Sequence, residues 1–279
     1  ACLTILSYMS TAVLSASAAM DYLHALAPSV EVVLATVIVL TIFMLLSIAG
    51  VTESSVVAVI IFIAHLLTMA LLICASIWFV TQHGFTLFEL NWSMPLPGNG
   101  GIAAALFFGF STAMLGVTGF ESSANYVEEQ EQGVFPKTLR NMWVAVTVIN
   151  PLIVLCAVMI LPLAAINDHE ETMLSFMGLT IGGNWLATLI TADAVVVLCG
   201  AVLTSYVGVS GLIKRMTLDR ILPQFLLKET RQGSSPRIII LFFLLCLSVL
   251  YLTNGGTNAL AGVYTISFLT VMAFFAIGN

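Results

Sequence analysis

The chain has 279 residues, 60% of them hydrophobic and only 8% charged, with a formal net charge of −6. A soluble domain carries about 25% charged residues, so this composition excludes a water-soluble fold and specifies a polytopic helical membrane protein. All eight Lys and Arg sit in two short regions, which leaves no basic surface for a nucleic acid.

Eight apolar segments follow one another: 1–26, 31–50, 54–80, 101–126, 142–166, 184–213, 236–253 and 257–279. Each is close to the roughly 20 residues that span a bilayer. Breaks with turn chemistry separate them: "APSVE", "AGVTESS", "MPLPGNGG", "EEQEQGVFPKTLRN", "INDHEETM", "RQGSSPR" and "TNGGTN". The first and last segments run to the chain ends, so a fragment of a longer membrane domain is expected, with residues 1–279 as one domain.

The third segment holds His65, about 11 residues in. At about 1.5 Å per residue that is near mid-membrane. Two readings stand: a neutral, hydrogen-bonded packing residue, or a proton carrier that titrates near neutral pH. The next break contains "NWS" at Asn91, a glycosylation sequon.

The fourth segment ends in "AMLGVTGFESSANYVEEQ". Gly116 and Gly119, with Thr118 between them, weaken a helix where lost backbone bonds are hardest to replace. Non-helical backbone at membrane depth is tolerated only where it is buried in protein or lines a cavity, as in the broken helices of transporters. The competing reading is small-residue helix packing. Glu121 follows, a functional candidate because an intramembrane carboxylate is costly. Glu128, Glu129 and Glu131, with Lys137 and Arg140 beyond them, read as a solvated cluster at the helix exit.

"NDHEE" at 167–171 lacks helical metal-ligand spacing and reads as exposed loop. The sixth segment carries Asp193, about two turns from its outer end, and the adjacent hydroxyls of Thr204 and Ser205. Those hydroxyls either back-bond to the preceding turn or ligate a small hard cation. The five cysteines all lie in apolar runs without a CxxC pair, and read as buried small residues. No metal site and no catalytic constellation emerges: HExxH, GxSxG and a phosphate-binding glycine loop are all missing.

Lys137 and Arg140 lie between segments four and five. The other six basic residues lie between segments six and seven. Two intervening spans place both regions, 127–141 and 213–237, on one side, which the positive-inside rule makes cytoplasmic. The connections at 81–100 and 167–183 then face outward, and they contain no Lys or Arg.

Three stretches in register resemble the amino acid–polyamine–organocation permeases. "GVTGFESSANYVEEQEQGVFPKTLRN" is similar to that family's broken sixth helix, and "KRMTLDRILPQFL" to its loop after the eighth. "AGVTESSVVAVIIFIAHLL" is similar to its fourth-to-fifth helix junction. The resemblance implies an all-α, five-plus-five inverted-repeat fold working by alternating access, of which this chain holds about helices three to ten of twelve. It implies that Leu115, Gly116, Val117, Thr118 and Gly119 form the unwound stretch whose backbone contacts substrate. Glu121 matches an acidic residue that couples protonation to movement. His65, twelve residues after Glu53, falls where proton-coupled relatives carry a Lys. Thr204 and Ser205 match hydroxyls that bind sodium in distant relatives. The sequence departs from the family's pattern at His65 itself, at Leu115 where some relatives place a gating aromatic, at Arg220 where the family usually has Gly, and in lacking the family's Arg one turn before the Met, with Lys214 and Arg215 nearby instead.

The expected function is secondary active transport of amino acids or related amines across a lipid bilayer. No cofactor is expected beyond H+ or Na+ as coupling ion. A channel would need a continuous polar face along several spans. A membrane-embedded enzyme, such as an acyltransferase, would need a deep His with an Asp or Asn partner, and counting residues along the segments puts His65 and Asp193 at different depths.

Overall fold

The computed structural model describes residues 2–51, 55–95, 101–113, 130–230 and 233–278. Among them the chain forms helices and turns, with no strand. In chain order the α-helices are α1 (Cys2–Leu26), α2 (Val32–Ile48), α3 (Ser55–His83), α4 (Thr86–Ser93), α5 (Gly101–Ala113), α6 (Val134–Ile160), α7 (Leu163–Asp168), α8 (Met173–Gly182), α9 (Asn184–Leu218), α10 (Pro236–Leu252) and α11 (Thr257–Gly278). Short 3-10 turns occupy Glu170–Thr172 and Gln224–Leu227. Among the described residues, five helices are long and apolar enough to cross a membrane: α1, α3, α6, α9 and Thr257–Phe274 of α11. Helices α2, α5 and α10 are shorter apolar helices. All eight apolar segments thus contain a helix.

The helix ends differ from the sequence expectation in places. "EEQEQGVFPKTLRN" is not loop throughout. Gly133, at φ 82°, precedes the first turn of α6, which starts at Val134. Pro136 falls in that first turn, where a missing N–H costs no helical bond. Lys137 and Arg140 are therefore helical residues. Likewise α9 runs five residues past the expected end at 213, so Lys214 and Arg215 are helical. The connections at 81–100 and 167–183 hold the short helices α4 and α8, and α7 runs from the fifth segment into the second of them.

Three helices stop in the same way, with a left-handed residue just past the end. After α2, Gly50 (φ 79°) bonds to the Ser47 carbonyl and Val51 to that of Leu46. After α10, Asn254 (φ 50°) bonds to Tyr251 and Gly255 to Leu250. After α9, Arg220 (φ 60°) bonds to Thr217 and Ile221 to Met216. This paired closure satisfies carbonyls that a helix end leaves open. Gly is the usual residue there and Asn the common substitute, since a Cβ is crowded in that conformation. Arg220 takes the same conformation with a full side chain.

The chain forms two compact units, Ala1–His65 with Thr191–Asn279, and Leu66–Ile190. In the first, α1 packs against α2, α10 and α11, and α2 also packs against α10. Its core includes Tyr8, Ala12, Leu40, Val202, Tyr206 and Phe242, all buried. The phenol of Tyr206 on α9 donates to the Leu40 carbonyl of α2 at 3.0 Å, and its ring meets Phe242 edge-on. Ser234 donates to the Ile48 carbonyl at the end of α2. Gly208 lets α9 approach Tyr8 of α1. A Cβ there would lie 2.7 Å from the ring's Cε1.

In the second unit, Leu72, Cys156, Ile160, Met177 and Ile190 form the core. Asn91 of α4 closes the end of α6. Its Nδ2 donates to the carbonyls of Val158 and Leu161, each at 2.8 Å, and its Oδ1 accepts from the Leu163 amide at 3.2 Å. Both oxygens belong to a helix terminus without intrahelical donors. Asn91 is buried, so the sequon nitrogen is committed to the fold and closed to glycosylation. Large apolar side chains such as Phe62, Trp78, Phe107 and Phe108 lie exposed, as suits a chain whose solvent is lipid.

Candidate functional site

The first unit contains a polar pair that residue counting along the segments had separated. His65 Nδ1 lies 2.8 Å from Asp193 Oδ2. The depth expectation is thereby corrected, and the reason is helix length. Helix α9 has 35 residues, about 52 Å at 1.5 Å per residue, against a hydrocarbon core of about 30 Å. Its ends do not mark the membrane edges, so counting from them gives no depth for Asp193. The cross-helix contact between His65 of α3 and Asp193 of α9 fixes their relative level instead.

The bond requires one shared proton. Either Nδ1–H donates to an ionised Asp193, or a protonated Asp193 donates to a bare Nδ1. With one proton the pair carries a net charge of −1, and with a second it is neutral. A lone carboxylate only 9% exposed on an apolar helix is costly, and the imidazole offsets that cost by supplying a donor.

Beside the pair is a cavity of about 500 Å³. Its walls include Ile61, Phe62 and His65 of α3, and Val197, Leu203 and Thr204 of α9. Among the described lining residues, His65 and Thr204 are the two that carry polar side chains. The His65 side chain is 32% exposed and that of Asp193 only 9%. The carboxylate thus lies behind the imidazole as seen from the cavity.

The hydroxyls of the sixth segment part ways. Thr204 Oγ1 donates to the Gly200 carbonyl at 3.0 Å and borders the cavity. Ser205 Oγ donates to the Ala201 carbonyl at 2.8 Å and is buried away from it. One helical residue turns about 100° from its neighbour, which here carries the Ser205 side chain off the cavity wall and into the core. Both make the back-bond to the preceding turn, with their lone pairs still able to accept.

The structure thus brings His65 and Asp193 together, places Thr204 on the wall of the cavity that His65 lines, and sets Ser205 apart. Leu115, Gly116, Val117, Thr118, Gly119 and Glu121 lie outside the described residues, as does Glu53. "NDHEE" is exposed and divided between the end of α7 and a 3-10 turn, with His169 stacked on Phe176. Among the described residues no group of three or more His, Cys, Asp or Glu could hold a metal ion. The role of Asn91 was missed from sequence. The residue pattern around it matches a sequon, while its partners lie about 70 residues away.

Long apolar helices with an ionisable pair beside an open cavity define a class, the polytopic membrane proteins that handle small solutes. The particular family follows from comparison with known proteins. The family model described as amino acid permease matches residues 1–279, and the chain belongs to that family. It is an integral membrane transport protein for amino acids, and not an enzyme. The His–Asp pair, whose geometry suits a general base and its orienting acid, therefore sits in a permease. No curated protein matches the chain.

Proposed function

We propose that this permease is a secondary active carrier that works by alternating access and couples amino acid or amine uptake to protons through His65 and Asp193. The carrying observation is the 2.8 Å contact between an imidazole and a carboxylate beside a cavity. Charge explains why such a pair couples. Unloaded, it is an anion that is costly to seal inside a membrane. One added proton makes it neutral, so the protonated pair is the form that closes at least cost. A carrier that closes only when protonated moves its substrate with the proton gradient.

In this reading Leu115 to Gly119 supply backbone contacts to substrate, and Glu121 lies just cytoplasmic of them. The regions 127–141 and 213–237 face the cytoplasm. Sodium is the competing coupling ion, since it too would neutralise the pair, and the Thr204 oxygen borders the same cavity.

The test uses the purified carrier in proteoliposomes with a pool of ¹⁴C-labelled amino acids and imposed proton or sodium gradients. Accumulation driven by the proton gradient, lost in Asp193→Asn, is expected. Uptake that follows sodium alone, or proton-driven uptake unchanged in Asp193→Asn, would overturn the proposal.

A further inference from the structure

We infer that His65 and Asp193 form an ordered proton relay, in which His65 is the port on the cavity side and Asp193 the store behind it. This rests on the proton-coupled reading above and deepens it. Three observations carry it. His65 lines the cavity and Asp193 does not. The imidazole is more than three times as exposed as the carboxylate. The nitrogen that meets Asp193 is Nδ1, which leaves Nε2 as the ring's other proton site. Charge competition at the port is absent among the described residues. Asp193 is the charged group that meets His65, and the other walls, from α9 and from Val51 after α2, bring no titratable side chain.

The steps balance. A proton arriving by water through the cavity bonds to Nε2 of neutral His65. The Nδ1 proton moves along the 2.8 Å bond to Asp193 Oδ2. The pair ends as a carboxylic acid donating to the bare Nδ1 of a neutral Nε2–H imidazole. One proton has entered, no electrons have moved, and the negative charge is gone. Release runs the same bonds backwards.

The relay is tested without knowing the substrate. The purified carrier in lipid is subjected to a downward pH jump, and the carboxylic acid carbonyl band is followed by infrared difference spectroscopy. The band is assigned by its loss in Asp193→Asn. Its appearance is expected to slow at least tenfold in His65→Ala and in His65→Gln, whose amide fills the site but does not protonate. Added imidazole, small against a 500 Å³ cavity, is expected to restore the rate in His65→Ala and not in His65→Gln. A wild-type rate in either variant overturns the relay while leaving Asp193 as a coupling group. Failure of imidazole to rescue a monodisperse His65→Ala also overturns it. If His65→Ala does not fold, His65→Gln decides alone. Proton-driven uptake that persists in Asp193→Asn defeats the coupling reading itself, which separates the two failures.

Discussion

Replacing Gly208 by Ala sets two effects of known size against each other. In an open helix position the change gains about 1 kcal/mol, because Gly is the poorer helix former. At Gly208 the added Cβ lies 2.7, 2.8 and 2.9 Å from Cε1, Cζ and Oη of Tyr8. The closest approach is about 0.8 Å inside the 3.5 Å at which carbon contacts begin to be favourable. The ring cannot simply swing aside, since Tyr8 is buried in the core of its unit. Overpacking of this kind costs about 1–3 kcal/mol. The clash outweighs the propensity gain, and Gly208→Ala should destabilise the protein by about 1 kcal/mol net. The assay is reversible unfolding in mixed micelles, run as a double-mutant cycle with Tyr8→Leu. In the Tyr8→Leu background the same Gly208→Ala change should stabilise by about 1 kcal/mol, because only propensity remains. The coupling between the two sites is then about 2 kcal/mol. A stabilising Gly208→Ala in the wild-type background, or equal effects in both backgrounds, would refute the close approach of α1 and α9.

Arg220→Gly relieves a left-handed side chain (φ 60°) and should raise stability by about 1 kcal/mol. In the same unfolding assay Gly50→Ala should lower stability by a similar amount. Asn91→Ala strips two carbonyls and one amide of their partner and should cost about 2–4 kcal/mol. Asn91→Asp should be worse, because a carboxylate cannot donate to those carbonyls; yields of monodisperse protein will rank the three forms. Glycosidase treatment should leave the electrophoretic mobility unchanged if the protein is expressed in a glycosylating host. Tyr206→Phe should cost only about 1 kcal/mol, since the Leu40 carbonyl keeps its own helix. Tyr206→Ala, which empties a fully buried site, should cost about 3–5 kcal/mol, measured the same way.

Several features could be read directly because their causes are local. Runs of apolar residues specify spanning helices, since each backbone group in lipid must bond within its own segment. Each of the eight segments accordingly contains a helix. Turn residues marked the breaks between them. Helix ends were harder, because the apolar run and the hydrogen-bonded helix are different things. Helix α6 starts eight residues before its apolar run, at Val134, and α9 continues into Lys214 and Arg215. Arg220 shows the limit from another side. The resemblance marked it as a place that usually carries Gly, but only the backbone revealed the reason, a left-handed helix terminus.

By itself, then, the sequence determined the membrane class, the segment count, and the residue types able to carry charge inside a bilayer. It singled out His65, Asp193 and Thr204 one at a time. Tertiary structure decided their relations: His65 meets Asp193 across 128 positions, Thr204 borders the cavity that His65 lines, and Ser205 does not. It also turned Asn91 from an apparent sugar acceptor into the lock on the end of α6. The physical reason is common to these cases. Hydrophobicity and helix propensity act along the chain and are written in consecutive residues. The sliding register of one helix against another is fixed only by side-chain packing, and a single turn of slippage, about 5.4 Å, would have parted the pair.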